Sequence, residues 1–195
     1  MAKEFITEVE NTWCRGCGNF GIMNAMKKAV GILEEKGVPR SRLVMTSGIG
    51  CHAKIFDYMR LSGLYSLHGR AMATAQGMKL ANPSLKVVAF CGDGDAFGEG
   101  VAHMLHAAKR NSDITVVMHD NGVYALTTGQ RGPTSPRGFK GPSTPEGNNE
   151  DPWNTLVLML EAGATFAARA YCAKLDQLSE ILAAAIEPEG FSFIQ

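Results

Sequence analysis

The chain has 195 residues, 45% of them hydrophobic and 19% charged, enough to bury one sizeable core as a single domain or as one domain with appendages. Its 19 basic and 19 acidic residues cancel and form no basic stripe, which removes the electrostatic case for nucleic acid or an anionic membrane surface as partner. No apolar run approaches the roughly 18 to 20 residues of a membrane-spanning helix, and the opening MAKEFITEVENTW lacks the basic-then-apolar order of a signal peptide, so the cytoplasm is the expected compartment.

In a reducing compartment the five cysteines are expected to be free, catalytic or metal-bound rather than paired. Two of them, Cys14 and Cys17, stand in a CxxC spacing within WCRGCG. Spacing alone leaves open a redox disulfide, half of a zinc site or part of an iron-sulfur ligand set. A zinc ribbon would need a second CxxC, and a thioredoxin-like dithiol would follow a strand that the short stretch ahead of Cys14 has little room to form.

Residues 20–36 carry apolar side chains at Ile22, Met23, Met26, Ala29, Val30 and Leu33, the pattern of an amphipathic helix, ended by Gly37-Val38-Pro39. Residues 42–46 (RLVMT) read as a buried strand that runs into the glycine turn SGIGC. A second such unit is expected at 66–70 (SLHGR), followed by a helix of small residues, AMATAQGMKLANP. Residues 85–91 (LKVVAFC) read as a strand, 92–100 as a loop, 101–110 as a helix and 114–119 as a strand. Strands alternating with helical crossovers predict an α/β fold with a parallel sheet flanked by helices. Five of the eight prolines fall in 127–152, which predicts a long Pro/Gly-rich loop. A disordered linker is the competing reading, opposed by the short stretch of chain that remains beyond it. Residues 153–161 then read as helix, 165–171 as strand, 174–186 as helix and 191–195 as strand. An uncapped apolar strand at the end of the sequence reads as a domain interrupted at its C-terminal side, so residues 1–195 are expected to be one incomplete domain.

The segment CGDGD, residues 91–95, sits at the C-terminal end of a predicted parallel strand, where open α/β sheets bind ligands and glycine turns offer amides to phosphate. Two acidic residues would repel a bare diphosphate. They suit one bridged by Mg2+, which prefers hard oxygen ligands. A second oxygen ligand is expected from the end of the next strand, where Asp120-Asn121-Gly122-Val123 stands. By itself, GDG is also an ordinary turn sequence.

GDG followed one strand-helix-strand unit later by Asn resembles the thiamine diphosphate (TPP) motif of TPP-dependent enzymes. The resemblance implies Asp93 and Asn121 as side-chain ligands of Mg2+ and Val123 as a carbonyl ligand. It also puts Gly94 and Asp95 against the diphosphate and Ala125 and Leu126 beside the cofactor; core packing is the alternative for Val123 and Leu126. Taken together, WCRGCGNFGI, SGIGCHAK and CGDGDAFGEG with HDNGVYALTTGQ resemble the β subunit of 2-oxoacid:ferredoxin oxidoreductases, the group with pyruvate, 2-oxoglutarate and 2-oxoisovalerate members.

That resemblance implies a thiamine diphosphate-binding fold and CoA-dependent oxidative decarboxylation of a 2-oxoacid with ferredoxin as electron acceptor. It implies an α subunit as partner, with or without γ and δ subunits. It further implies a [4Fe-4S] cluster with Cys14, Cys17 and Cys51 as ligands and a fourth ligand shortly beyond residue 195. Ile49, Gly50, Cys51 and His52 match the family segment that borders TPP. Lys54 matches a lysine associated with the substrate carboxylate, against a solvated surface lysine as the alternative. His68 matches a histidine near the cofactor, against a turn histidine. Cys91 and Cys172 are expected to be buried structural thiols. The alternatives are a non-redox TPP-dependent decarboxylase subunit and a TPP-binding fragment without a stable cluster.

Overall fold

The computed structural model describes residues 5–195; Met1 to Glu4, the start of the MAKEFITEVENTW stretch, lie outside the described residues. Six strands form one parallel sheet: β1 Leu43–Ser47, β2 Ser62–Tyr65, β3 Lys86–Gly92, β4 Thr115–His119, β7 Phe166–Ala168 and β8 Ser192–Ile194, in the order β2-β1-β3-β4-β8-β7. A two-residue antiparallel ribbon, β5 Val123–Tyr124 with β6 Gln130–Arg131, lies apart from it.

The inner strands read as continuous apolar runs because both sheet faces are covered. Val88 and Phe90 of β3 pack on one side with Leu43, Met45, Val117 and Ile194, while Val87, Ala89 and Cys91 pack on the other with Val44, Val116, Met118 and Phe193. Helices α1 Gly18–Glu35 and α6 Leu175–Ile186 close the first face, and Met23, Met26, Ala29, Val30 and Leu33 supply the buried stripe of α1. Helices α3 Ala71–Ala81, α4 Val101–Lys109 and α5 Thr155–Glu161 close the second; a single-turn helix, α2 Ile55–Tyr58, precedes β2. At the end of α1, Gly37 takes φ +86°, and the amides of Gly37 and Val38 return to the carbonyls of Glu34 and Leu33, which is how GVP stops the helix. Among the described residues no helix is long and apolar enough to cross a membrane.

Two sequence expectations need correction. The unit expected at residues 66–70 is a turn, and the strand beside β1 is the earlier Ser62–Tyr65. This is a mostly exposed edge strand with no apolar run to announce it. Residues 92–100 are not simply a loop: Gly94–Glu99 forms a wide π-type turn that leads into α4, a geometry that tends to mark functional sites. Residues 127–152 form a loop that is folded onto the domain, with Ser135 and Asn148 buried inside it, which opposes the linker reading.

The strand order reverses direction between β1 and β3. β1 continues to β2 on one side, and β3 continues to β4 on the other, so a crevice opens at their C-terminal ends. The turn after β1, the GDG after β3 and the Asp-Asn pair after β4 all border it.

Candidate functional site

The crevice is a cavity of about 660 Å3. Every residue put forward from the sequence borders it: Cys14 and Cys17 ahead of α1; Ile49, Gly50, Cys51, His52 and Lys54 after β1; and His68 after β2. Asp93, Gly94 and Asp95 follow β3, and Asn121, Val123, Ala125 and Leu126 follow β4.

Asp93 is 1% exposed. Burial pushes its carboxyl up to about 6; the Thr134 hydroxyl and nearby amides pull it down while Asp120 adds to the rise, so the carboxylate stands without a matching positive charge. Asp120 accepts from the Gly122 amide (3.2 Å) and from Gln195 Nε2 (2.7 Å), and Asn121 Oδ1 accepts from the Val123 amide (3.1 Å). A buried carboxylate short of a cation, an amide oxygen and neighbouring carbonyls are a donor set that fits Mg2+. Among the described residues no three His, Cys, Asp or Glu side chains lie close enough to hold a metal ion by themselves, so such a site takes its other oxygens from backbone, Asn, water or ligand.

Asp95 is turned inward. It accepts from the amides of Ile49 (3.1 Å) and Gly69 (2.7 Å) and lies 2.9 Å from His68 Nδ1 and 3.6 Å from His52 Nε2. Burial alone would raise its carboxyl, but His52 alongside and the two amides more than offset that and hold it below its ordinary value. Its contacts tie the turns after β1 and β2 to the diphosphate-type loop. Gly94 is required by close approach: a Cβ there would meet the Tyr124 ring at 2.4 Å, and the Tyr124 hydroxyl donates to the Gly94 carbonyl (3.2 Å).

On the other side of the cavity, the CxxC turns on Gly16 (φ +77°) with the Cys17 amide bonded to the Cys14 carbonyl (3.0 Å). Trp13 Nε1 donates to the Cys51 carbonyl (2.6 Å), which joins the CxxC segment to the turn after β1. Burial raises the Cys51 thiol, and so do Cys17 and Cys14, while Lys54 opposes them. Cys14 and Cys17 both act on Cys51, so the three sulfurs are neighbours on one side of the cavity, and sulfur is the donor type an iron cluster takes. Lys54 Nζ donates to the Thr12 hydroxyl, which also contacts the Tyr58 hydroxyl (3.1 Å).

Cys91 is fully buried, and burial pushes its thiol well up, as a structural cysteine requires. Cys172 departs from expectation. It is only half-buried and borders the same cavity as Cys14, Cys17 and Cys51, because the chain after β7 packs on the first turns of α1; a Cβ on Gly18 would meet its Sγ at 2.9 Å. Also unmarked in the sequence are Asn19 and His119, joined at 2.9 Å through Asn19 Oδ1 and His119 Nδ1. Burial, with the charge of His52, holds His119 well below the usual imidazole range, so it is neutral. Nε2 of His119 is buried at the cavity without a hydrogen-bond partner, and Nε2 of His52 and Oδ2 of Asp95 have only each other, at 3.6 Å. Orphaned polar atoms of this kind are what a polar ligand would satisfy.

Residues 48–195 match the model of the thiamine pyrophosphate enzyme C-terminal TPP-binding domain. The chain is 39% identical to the 2-oxoglutarate synthase subunit KorB of Archaeoglobus fulgidus over 94% of this chain and 67% of that one. It belongs to the β-subunit family of 2-oxoacid:ferredoxin oxidoreductases. With the 2-oxoacid:ferredoxin oxidoreductase subunit beta of Saccharolobus solfataricus it shares 46% identity over 94% of its own length and 60% of the relative's. A solved chain of the 2-oxoglutarate:ferredoxin oxidoreductase of Magnetococcus marinus, with 2-oxoglutarate, coenzyme A and succinyl-CoA bound, superposes with a TM-score of 0.93 at 41% identity, over 98% of this chain and 65% of that one. The chain therefore spans about 60 to 65% of the length of these two proteins.

Proposed function

We propose that this chain is the TPP-Mg2+-binding part of the β subunit of a 2-oxoacid:ferredoxin oxidoreductase, acting with an α subunit in the CoA-dependent oxidative decarboxylation of a 2-oxoacid. The observation that carries the reading is Asp93, a buried carboxylate in need of a cation at the sheet's switch point, with Asn121, just after the neighbouring strand, lining the same cavity. Asp93, Asn121 and the Val123 carbonyl would hold Mg2+, and Gly94, Asp95, Ala125 and Leu126 would border TPP. When bound, the cofactor supplies an electron sink for decarboxylation at a carbonyl.

The chain's own residues bind and orient. Asp95 fixes the turns that carry Ile49 and Gly69, and the Lys54 ammonium, steadied by Thr12 and Tyr58, is the cation that would meet the 2-oxoacid carboxylate. Cys14, Cys17 and Cys51 would supply thiolates to a [4Fe-4S] cluster. Because Cys51 shares its turn with Ile49 and His52, a group held there lies next to the cofactor pocket. Ferredoxin would receive the electrons.

The test is anaerobic co-expression with the α subunit, followed by an iron assay and 2-oxoacid-dependent ferredoxin reduction. About four irons per chain together with CoA-dependent reduction are expected. The alternative reading is a TPP-binding chain without a cluster. Colourless, iron-free protein that still binds TPP and Mg2+ would select it.

A further inference from the structure

The proline-rich loop sends one hydroxyl to the candidate metal site. Thr134 Oγ1 lies 2.8 Å from Asp93 Oδ2 and 2.8 Å from Asp120 Oδ1. A hydroxyl has one proton to donate, so two carboxyl groups share a single donor, in a place otherwise short of positive charge.

The surrounding loop is built to hold that hydroxyl in place. Ser135, 1% exposed, accepts from the Gly132 amide (2.8 Å) and donates to the Gly122 carbonyl in the Asp-Asn turn. Asn148, 3% exposed, donates to the carbonyls of Ser135 and Pro136 (3.2 Å each) and Glu150 (3.0 Å). The Trp153 amide donates to the Pro133 carbonyl (2.9 Å), so the residues on either side of Thr134 are both anchored. Gly132 lies so close to the metal-site carboxylate that a Cβ on it would stand 2.8 Å from Asp93 Oδ2. Buried polar side chains in an otherwise polar surface loop need a reason, and all of these serve the one segment that touches Asp93.

We propose that Thr134 is a positioning residue for the divalent cation at Asp93, its hydroxyl holding Oδ2 and so fixing the orientation of the carboxylate that would bind the metal. The proposal rests on the TPP-Mg2+ reading. Thr134 itself is not a ligand. Its effect runs through Asp93, as groups that orient a ligating carboxylate generally do. The 127–152 loop thereby becomes part of the cofactor site rather than a connection past it.

The test uses the full-length β chain assembled with its α subunit and measures Mg2+ affinity by calorimetry at saturating TPP. Thr134→Val keeps the shape and removes the donor; Thr134→Ser keeps the donor. Val is expected to weaken Mg2+ about tenfold or more, and Ser to stay within about threefold of the parent. Gly132→Ala, which pushes the same backbone off Asp93, is expected to weaken Mg2+ as Val does, so the inference does not hang on one variant's folding. Parent-like Mg2+ affinity in Thr134→Val, or equal losses in Val and Ser, would overturn it. A parent that binds TPP equally well without Mg2+ would instead refute the underlying cofactor reading.

Discussion

Replacing Asp93 by Asn should make the metal-free protein more stable while abolishing its use of Mg2+. In the fold the Asp93 carboxyl is pushed from 3.8 up to about 6 by burial. A raised folded-state value means that the carboxyl's contribution to stability is fully present below about pH 4 and is lost as pH rises through about 6. A shift of about two units corresponds to about 3 kcal/mol at neutral pH, an upper figure for a group buried this completely. Asn keeps an oxygen that accepts from Thr134 and carries no charge to desolvate. In EDTA at about pH 7.5, Asp93→Asn should therefore melt on the order of 5–10 °C above the parent, with the gap closing toward about pH 4. Adding Mg2+ and TPP should raise the parent's midpoint and leave the variant's unchanged. Thermal melts across pH, with and without the ligands, measure both effects. A variant that melts below the parent in EDTA, or a gap that does not depend on pH, would refute the assignment of Asp93 as a buried carboxylate awaiting a cation.

Trp13→Phe removes the donor to the Cys51 carbonyl and should cost about 1–3 kcal/mol, read as a lower urea midpoint at unchanged slope; an unchanged midpoint would show that this link is not stabilising. Lys54→Met should raise the KM for the 2-oxoacid about tenfold or more without changing TPP affinity, and an equal loss in both would deny it contact with the substrate carboxylate. Cys51→Ser should lower the iron recovered per chain from anaerobic preparations; full iron content would remove Cys51 from the ligand set. Phe193→Ala, at a fully buried position between β8 and the second helical layer, should destabilise by about 3–5 kcal/mol in the same denaturation assay, and a cost below about 1 kcal/mol would contradict that packing.

What the sequence made legible followed from local physics. β3 and β4 announce themselves because a parallel strand covered on both faces must be apolar throughout, and α1 because its buried stripe recurs with the helical period. The candidate site residues could be named because they cluster in short motifs, most of them after strand ends, and the fold brings all of them to one cavity. β2 was misplaced because an exposed edge strand carries no such run. The π-type turn at Gly94–Glu99 follows GDG locally, but nothing in its residues signals the contacts from Ile49 and Gly69 that hold Asp95 there. Thr134, Cys172 and the Asn19-His119 pair act across 41, 154 and 100 positions of sequence, respectively, from Asp93, Gly18 and each other, so only tertiary packing reveals them.

The most direct test of the cofactor assignment is a calorimetric titration of TPP into the β chain assembled with its α subunit, with Mg2+ and again in EDTA. Binding that requires Mg2+ and disappears in Asp93→Ala is the expected result. Equal affinity in EDTA, or parent-like Mg2+-dependent binding by Asp93→Ala, would contradict it.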